Sequence, residues 1–206
     1  MNKQFDQYTN GFSLSGDLKR DISLFFTINE DLRTLEHTLD VTAEAHRIAD
    51  LFTIDPNQVI SASLLHDISN VIPVSTMLDV AKELSIEILE EENKYNRSVH
   101  QKLSMFMAKD IFGISDREIL LAIESHTTYR AQASMTAKIL FVADKISWKL
   151  PGEHPHLIEM RERVNNLEID KAILIYLNYI WEQRDKLKLV HPWLIKARED
   201  LIKVVY

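Results

Sequence analysis

The sequence predicts an all-α protein built as one domain. Apolar residues recur at helical spacing through nearly the whole chain. Four Gly and five Pro in 206 residues are too few for the closely spaced turns of a β-sandwich or barrel. No run of alternating polar and apolar residues stands out. A chain of this length buries a sizeable core as a single unit.

Residues 1–30 form an N-terminal extension to which the sequence assigns no role, and the helical domain spans 31–206. The first helix of that domain runs from Leu35 to Phe52, with Val41, Ala45, Ile48 and Phe52 on one stripe and His37 on the same stripe one turn earlier. Asp55-Pro56-Asn57-Gln58 supplies an N-cap, a Pro at the first helical position and Gln three residues after the cap, a strong helix start. Its helix carries Val59, Ala62, Ser63 and His66 on one face. Residues 76–92 read as an amphipathic helix ending in Glu90-Glu91-Glu92, a solvated acidic surface. A helix from Ser98 to Phe112 aligns His100, Leu103, Met107 and Ile111 and stops at Gly113. Ser115-Asp116-Arg117-Glu118 is a capping box, and its helix sets Ile119, Ala122, Ile123 and His126 on one face. Met135 to Trp148 aligns Ala137, Leu140 and Asp144. Helices over 157–167 and 170–188, and one more in the tail from His191 to Tyr206, complete the bundle.

Composition removes whole classes of chemistry. Without cysteine there is no disulfide framework, thiolate nucleophile or thiolate metal site. The net charge of -7, from 24 Lys+Arg against 31 Asp+Glu, repels a polyanionic backbone and argues against a nucleic-acid polymer as partner. The segment Met1–Ser15 has no apolar core of signal-peptide length. The longest apolar stretch, Ala172–Trp181, is too short to span a bilayer. A cytoplasmic protein with no membrane partner is expected.

Chemistry starts with the eight histidines. His37, His66, Asp67, His100, His126 and Asp144 all occupy core-facing helical positions. A lone histidine on an apolar stripe is commonly a packed core residue. An ionised carboxylate on such a face, however, is costly unless a cation meets it, and imidazole with carboxylate is a ligand set for Fe, Mn or Zn. Periodicity alone leaves both core histidines and a metal site open. The bland reading holds for His154 and His156 in a Pro/Gly-rich loop, and for His46 and His191. Trp148 and Tyr129 are aromatics that either pack or stack on a base.

The same residues resemble a family. His37, Leu64-Leu65-His66-Asp67, His126-Thr127 and Val142-Ala143-Asp144 look like the H…HD…H…D signature of the HD-domain phosphohydrolases, and His100 supplies the additional histidine of the two-metal members. Glu36-His37-Thr38-Leu39, Ala62 through Ile68, Ala122 through Thr128 and Met135 through Ile146 are similar to the YqeK-type branch of symmetrical bis(5'-nucleosyl)-tetraphosphatases. The likeness covers about residues 32 to 190. It implies an HD-type helical bundle and two transition-metal ions, iron first, with manganese or zinc as alternatives. Asp67 would bridge the ions, with His37, His66 and Asp144 on one and His100 and His126 on the other. Asp67, His100 and His126 would stand closest to the reaction.

The reaction implied is symmetrical hydrolysis of diadenosine tetraphosphate to two ADP by a metal-bridging hydroxide, with no side-chain nucleophile. Alternatives are an HD phosphohydrolase of another nucleotide (a nucleoside mono- or diphosphate, or a cyclic dinucleotide) and a non-catalytic nucleotide-binding HD domain. A nucleotide is the expected partner, and a homodimer stays open. The chain departs from the branch in three places. Asn70 stands where a lysine usually follows the HD pair. Lys149-Leu150-Pro151-Gly152 lacks the usual arginine. Gln101-Lys102-Leu103-Ser104 replaces glycine-containing turns. Lys102, Arg130, Lys145 and Lys149 are the cations in the motif regions that could hold phosphate.

Overall fold

The computed structural model describes residues 2–149 and 151–206. Ten α-helices and several short 3-10 turns form the fold, with no strand among the described residues. The helices are α1 (Leu18–Ile28), α2 (Leu32–Leu51), α3 (Pro56–Leu65), α4 (Met77–Glu83), α5 (His100–Asp110), α6 (Arg117–Ser125), α7 (Met135–Ser147), α8 (Pro155–Asn165), α9 (Ile169–Glu182) and α10 (Pro192–Val205). None is long and apolar enough to cross a membrane.

Helix α7 is the axis of the bundle. Every residue from Ile139 to Ile146 is buried, because α2, α3, α6, α8 and α9 all pack around it. Such a helix must be apolar on all sides, so the two charges it carries, Asp144 and Lys145, need compensation from the surrounding helices. Starts follow the sequence. Asp31 caps α2 through Thr34 N, Asp55 caps α3 through Asn57 N, and Ser134 caps α7 through Ala137 N.

Several boundaries differ from expectation. The helix expected over 76–92 stops at Glu83, where Ser85 turns left-handed (φ 56°) and the Ile86 amide reaches back to Ala81 O at 2.9 Å. Within the acidic run after it Glu90 is exposed, but Glu92 is fully buried and is no part of a solvated face. Asp116, not Ser115, caps α6, its carboxylate accepting from Glu118 N at 2.8 Å. Helix α9 ends at Glu182 rather than 188, where a charged stretch leaves no apolar face to bury. Pro155 and His156, expected in a loop, open α8, and His156 stacks flat on Tyr179 at 3.7 Å.

Residues 2–30 pack into the same core as the rest. Phe5, Ile22, Phe25 and Phe26 are fully buried, and Phe12, Phe25 and Phe112 meet at ring separations of 5.5–5.6 Å. This aromatic cluster buttresses α1 against α2 and α3 and so supports the helices that carry His37 and His66.

Candidate metal centre

Helices α3 and α6 end in the same way. His66 and His126 stand at their C-caps, where the last-turn carbonyls lack intrahelical partners. Each histidine uses Nδ1 to donate to one of them, His66 to Ser63 O at 2.7 Å and His126 to Ile123 O at 2.8 Å. His100, opening α5, does the same with Arg97 O at 2.8 Å. A proton committed to Nδ1 leaves a lone pair on Nε2, and all three Nε2 atoms point at Asp67.

The distances are short. Asp67 Oδ1 lies 3.4 Å from His126 Nε2 and 3.6 Å from His100 Nε2, while Oδ2 lies 3.6 Å from His66 Nε2. Asp144 Oδ1 is 3.0 Å from His37 Nε2 and 3.9 Å from His66 Nε2. Two groups of ligand atoms, each within 4.8 Å of one another, share Asp67: His37–His66–Asp67 and Asp67–His100–His126. The first also adjoins Asp144. The six residues selected from sequence therefore converge on one cluster.

This cluster is unsatisfied as protein alone. His66 Nε2 and Asp67 Oδ1 are buried with no hydrogen-bond partner. His100 Nε2 and His126 Nε2 face each other at 3.2 Å, two lone pairs with no proton between them once both Nδ1 atoms donate elsewhere. Acceptors converging from a carboxylate and three imidazoles are what a divalent cation relieves, so the residues fit a metal. Protonation states agree. Burial pushes the His100 imidazole down to about 3, with His126 and Arg97 helping and Asp67 opposing. His66 is likewise lowered, first by burial. Burial pushes the Asp67 carboxyl up, yet His66, His126 and His100 outweigh it and hold the group well below the usual range. At Asp144, Lys145 and His37 outweigh burial in the same sense. Neutral imidazole and ionised carboxylate are the forms that bind metal.

A supporting layer comes from the stretch that departs from the branch pattern. Gln101 Oε1 accepts from Thr127 N at 3.1 Å and Thr128 N at 3.3 Å, and its amide donates to Thr128 Oγ1 at 2.9 Å, fixing the chain after His126. Ser104 bonds Ser69, which donates to His100 O at 2.8 Å and so ties the turn after Asp67 to α5. Lys102 forms a buried ion pair with Glu92 at 2.6 Å, and His191 Nε2 lies 3.1 Å from the other Glu92 oxygen. The sequence assigned neither Glu92 nor His191 a role, and no local signal marks them.

The predicted cations disperse. Lys145 sits at the cluster, its ammonium 2.6 Å from Asp144 Oδ2 and 3.2 Å from His126 O. Lys102 is buried with Glu92. Lys149 is exposed and paired with Glu36 and Asp40. Arg130 pairs with Glu124 and lies over the Trp193 ring. Asn70 lies within the 3-10 turn after Asp67 with a buried, unpartnered Oδ1. Leu150 lies outside the described residues. Tyr129 is a core residue against Phe141, whereas Trp148 is 40% exposed with its ring 4.4 Å from that of His37.

Two recesses flank the cluster. On the His100 side a cleft of about 280 Å³ runs between Tyr95, Arg97, Thr127, Tyr176, Leu189 and His191. On the His37 side a smaller one of about 160 Å³ lies among Arg33, Glu36, Asp40, Trp148 and Lys149.

The HD-domain family model matches residues 34–149, the span from α2 to the end of α7 that carries all six ligand candidates. The chain belongs to the HD-domain family. It is 38% identical over 148 residues to an uncharacterised protein of Lactococcus lactis subsp. cremoris, covering 72% of this chain and 74% of that one. It is 30% identical over 141 residues to a symmetrical bis(5'-nucleosyl)-tetraphosphatase of Staphylococcus aureus, covering 66% and 70%. A crystal structure of a predicted HD superfamily hydrolase involved in NAD metabolism, from Clostridium acetobutylicum, superposes with a TM-score of 0.81 at 28% identity over 93% of this chain and 98% of the other. The cluster sits where α2, α3, α5, α6 and α7 deliver one or two ligand candidates each.

Proposed function

We propose that this HD-domain protein is a metal-dependent nucleotide phosphohydrolase that splits diadenosine tetraphosphate symmetrically into two ADP. The observation that carries the reading is a pair of ligand groups sharing Asp67, flanked on both sides by recesses. That layout suits a substrate with a central polyphosphate and a nucleoside at each end. Relatives named symmetrical tetraphosphatases at modest identity support it.

His37, His66, Asp67 and Asp144 would hold one ion and Asp67, His100 and His126 the other, iron first, with manganese or zinc as alternatives. Such ions would supply Lewis acidity at phosphoryl oxygens and would lower the pKa of a water towards about 7. Water adds at one central phosphorus, and the oxygen between the two central phosphates leaves with the other half. The chain itself contributes orientation. The Nδ1 bonds to carbonyls fix each imidazole, Lys145 holds Asp144, and the Thr127 hydroxyl lies 3.0 Å from His100 Nε2. Trp148 offers a half-exposed ring for a base beside His37. On the other side the part-buried rings of Tyr95 and Tyr176 line the cleft, with Lys188 4.9 Å from the first and Lys145 5.6 Å from the second.

The test is metal analysis of protein purified without oxygen, followed by chromatography of products from a panel of nucleotides. Roughly two metal ions per chain and ADP as sole product from diadenosine tetraphosphate support the proposal. ATP plus AMP as products refutes symmetrical cleavage. Efficient turnover of a smaller nucleotide with none of this substrate refutes the substrate assignment.

A further inference from the structure

The cleft beside His100 carries no carboxylate among its lining residues, and Arg97 is its one permanently charged side chain. Among the described residues the Arg97 guanidinium has no hydrogen bond and no ion pair. It is half-buried, so the missing partner is not simply replaced by bulk water on all sides. Its backbone carbonyl holds His100 Nδ1 at 2.8 Å, which places Arg97 one turn ahead of a candidate metal ligand. The lysines near the cluster and Arg130 are engaged. Lys145 is on Asp144, Lys102 on Glu92, Arg130 on Glu124, and Lys149 on Glu36 and Asp40. Arg33, in the opposite recess, is exposed and stands among Glu36 and Asp40.

We infer that Arg97 is the phosphate-gripping residue of this chain, binding the outer phosphate of the nucleotide half that occupies the His100-side cleft. The reasoning is electrostatic and geometric. A tetraphosphate carries more negative charge than a metal cluster with two carboxylates neutralises. A planar guanidinium binds two phosphate oxygens at once, better than an ammonium does. An unpaired arginine in a cleft lined by no carboxylate, with Tyr95 and Tyr176 in its wall, is complementary to a nucleoside phosphate. Arg97 thereby takes over the work that Asn70, and the absence of arginine after Asp144, would otherwise leave undone. The inference rests on the nucleotide-phosphohydrolase reading and names the residue that binds the phosphate there.

The experiment compares ADP and adenosine binding by calorimetry to metal-loaded wild type, Arg97→Gln and Arg97→Lys, with metal content measured on each sample. Expected for Arg97→Gln is an ADP affinity lower by about ten- to hundredfold, with adenosine affinity and metal content unchanged. Arg97→Lys should fall between, keeping the charge but losing the fork. Equal ADP affinity in wild type and Arg97→Gln overturns the inference. An equal loss for adenosine also overturns it, because Arg97 would then shape the cleft rather than bind phosphate. If wild type turns over diadenosine tetraphosphate while Arg97→Gln keeps the wild-type KM, the inference fails and the proposed function stands. If wild type binds neither ligand and turns over no nucleotide, both fail together.

Discussion

Replacing Glu92 by Gln tests whether the buried ion cluster behind the cleft holds the fold together. Glu92 is fully buried, and its two oxygens meet Leu89 N at 2.7 Å, Lys102 Nζ at 2.6 Å and His191 Nε2 at 3.1 Å. Those contacts join the segment before α5, α5 itself and the N-terminus of α10, whose cap is His191. Gln keeps the shape and removes the charge. Lys102, only 3% exposed, keeps Glu87 O and the amide oxygen as acceptors but loses its counter-charge. Breaking a buried pair from one side costs about 3–5 kcal/mol, and an isosteric amide that still accepts from Leu89 N should lie near the lower figure.

In a chain of this size about 3 kcal/mol corresponds to a Tm lower by roughly 6–12 °C. Circular dichroism melts at pH 7 read it directly. The pH sign follows from the carboxyl. Burial pushes Glu92 up, but its bonds from His191, Lys102 and Leu89 N outweigh burial and lower it below the ordinary 4.5. Its stabilisation is therefore present above pH 4.5 and lost as pH falls through the lower folded value, so the gap between variant and wild type should shrink in acid. Adding Lys102→Met should recover part of the loss, because removing both charges leaves neither unpaired. A Glu92→Gln protein that melts within about 2 °C of wild type at pH 7 would refute the reasoning, since even 1 kcal/mol moves Tm by about that much.

Three further outcomes are expected. Asp67→Ala should abolish hydrolysis and lower bound metal, as the shared carboxylate goes; near-normal activity in a folded Asp67→Ala protein would sink its assignment. His100→Ala should release one metal ion and keep the other, measured by elemental analysis of dialysed protein; loss of both or of neither contradicts the partition between the two groups. In chelator-treated protein, the depressed His66 and His100 imidazoles should make stability fall as pH drops below 6.5, their ordinary value, because the unfolded chain then binds protons the folded one refuses. The slope is up to about 1.4 kcal/mol per pH unit for each histidine, and melts that are flat from pH 7.5 to about 5.5 would contradict it.

How much of this was legible in the sequence depended on whether the cause was local. The cap at Asp55 and the apolar stripes of α2, α3, α5 and α6 are local, and the structure has them where they were expected. Five of the six ligand candidates were readable because each lies on a stripe whose inward direction the periodicity defines, and Asp67 because it directly follows His66. Residues 1–30 were assigned no role, although a local signal lies in them. Leu18, Ile22, Phe25 and Phe26 follow helical spacing, and Asp17 caps them through Arg20 N, yet an apolar face says nothing about what it packs against. Glu92 was not readable at all. It sits in a run of three glutamates, which is ordinarily solvated, and its partner His191 is 99 positions away.

The same distinction explains the departures from the branch pattern. Gln101, Lys102 and Ser104 look in sequence like three losses at once, polar residues where small ones are usual. In the fold each has a nonlocal partner: the amides after His126, the buried Glu92, and Ser69 in the turn after Asp67. Glycine-containing turns allow close approach without side-chain bonds, whereas this chain reaches a fixed geometry through hydrogen bonds made by the side chains themselves. Those bonds hold His100, His126 and Asp67 from behind, and a ligand cluster with orphaned acceptors needs such backing to stay open until a cation fills it. Substituting Gln101 or Ser104 should therefore weaken metal affinity without removing a ligand, by about ten- to hundredfold as judged by competition with a chelator. Unchanged affinity in both variants would mean that backbone packing alone sets the cluster.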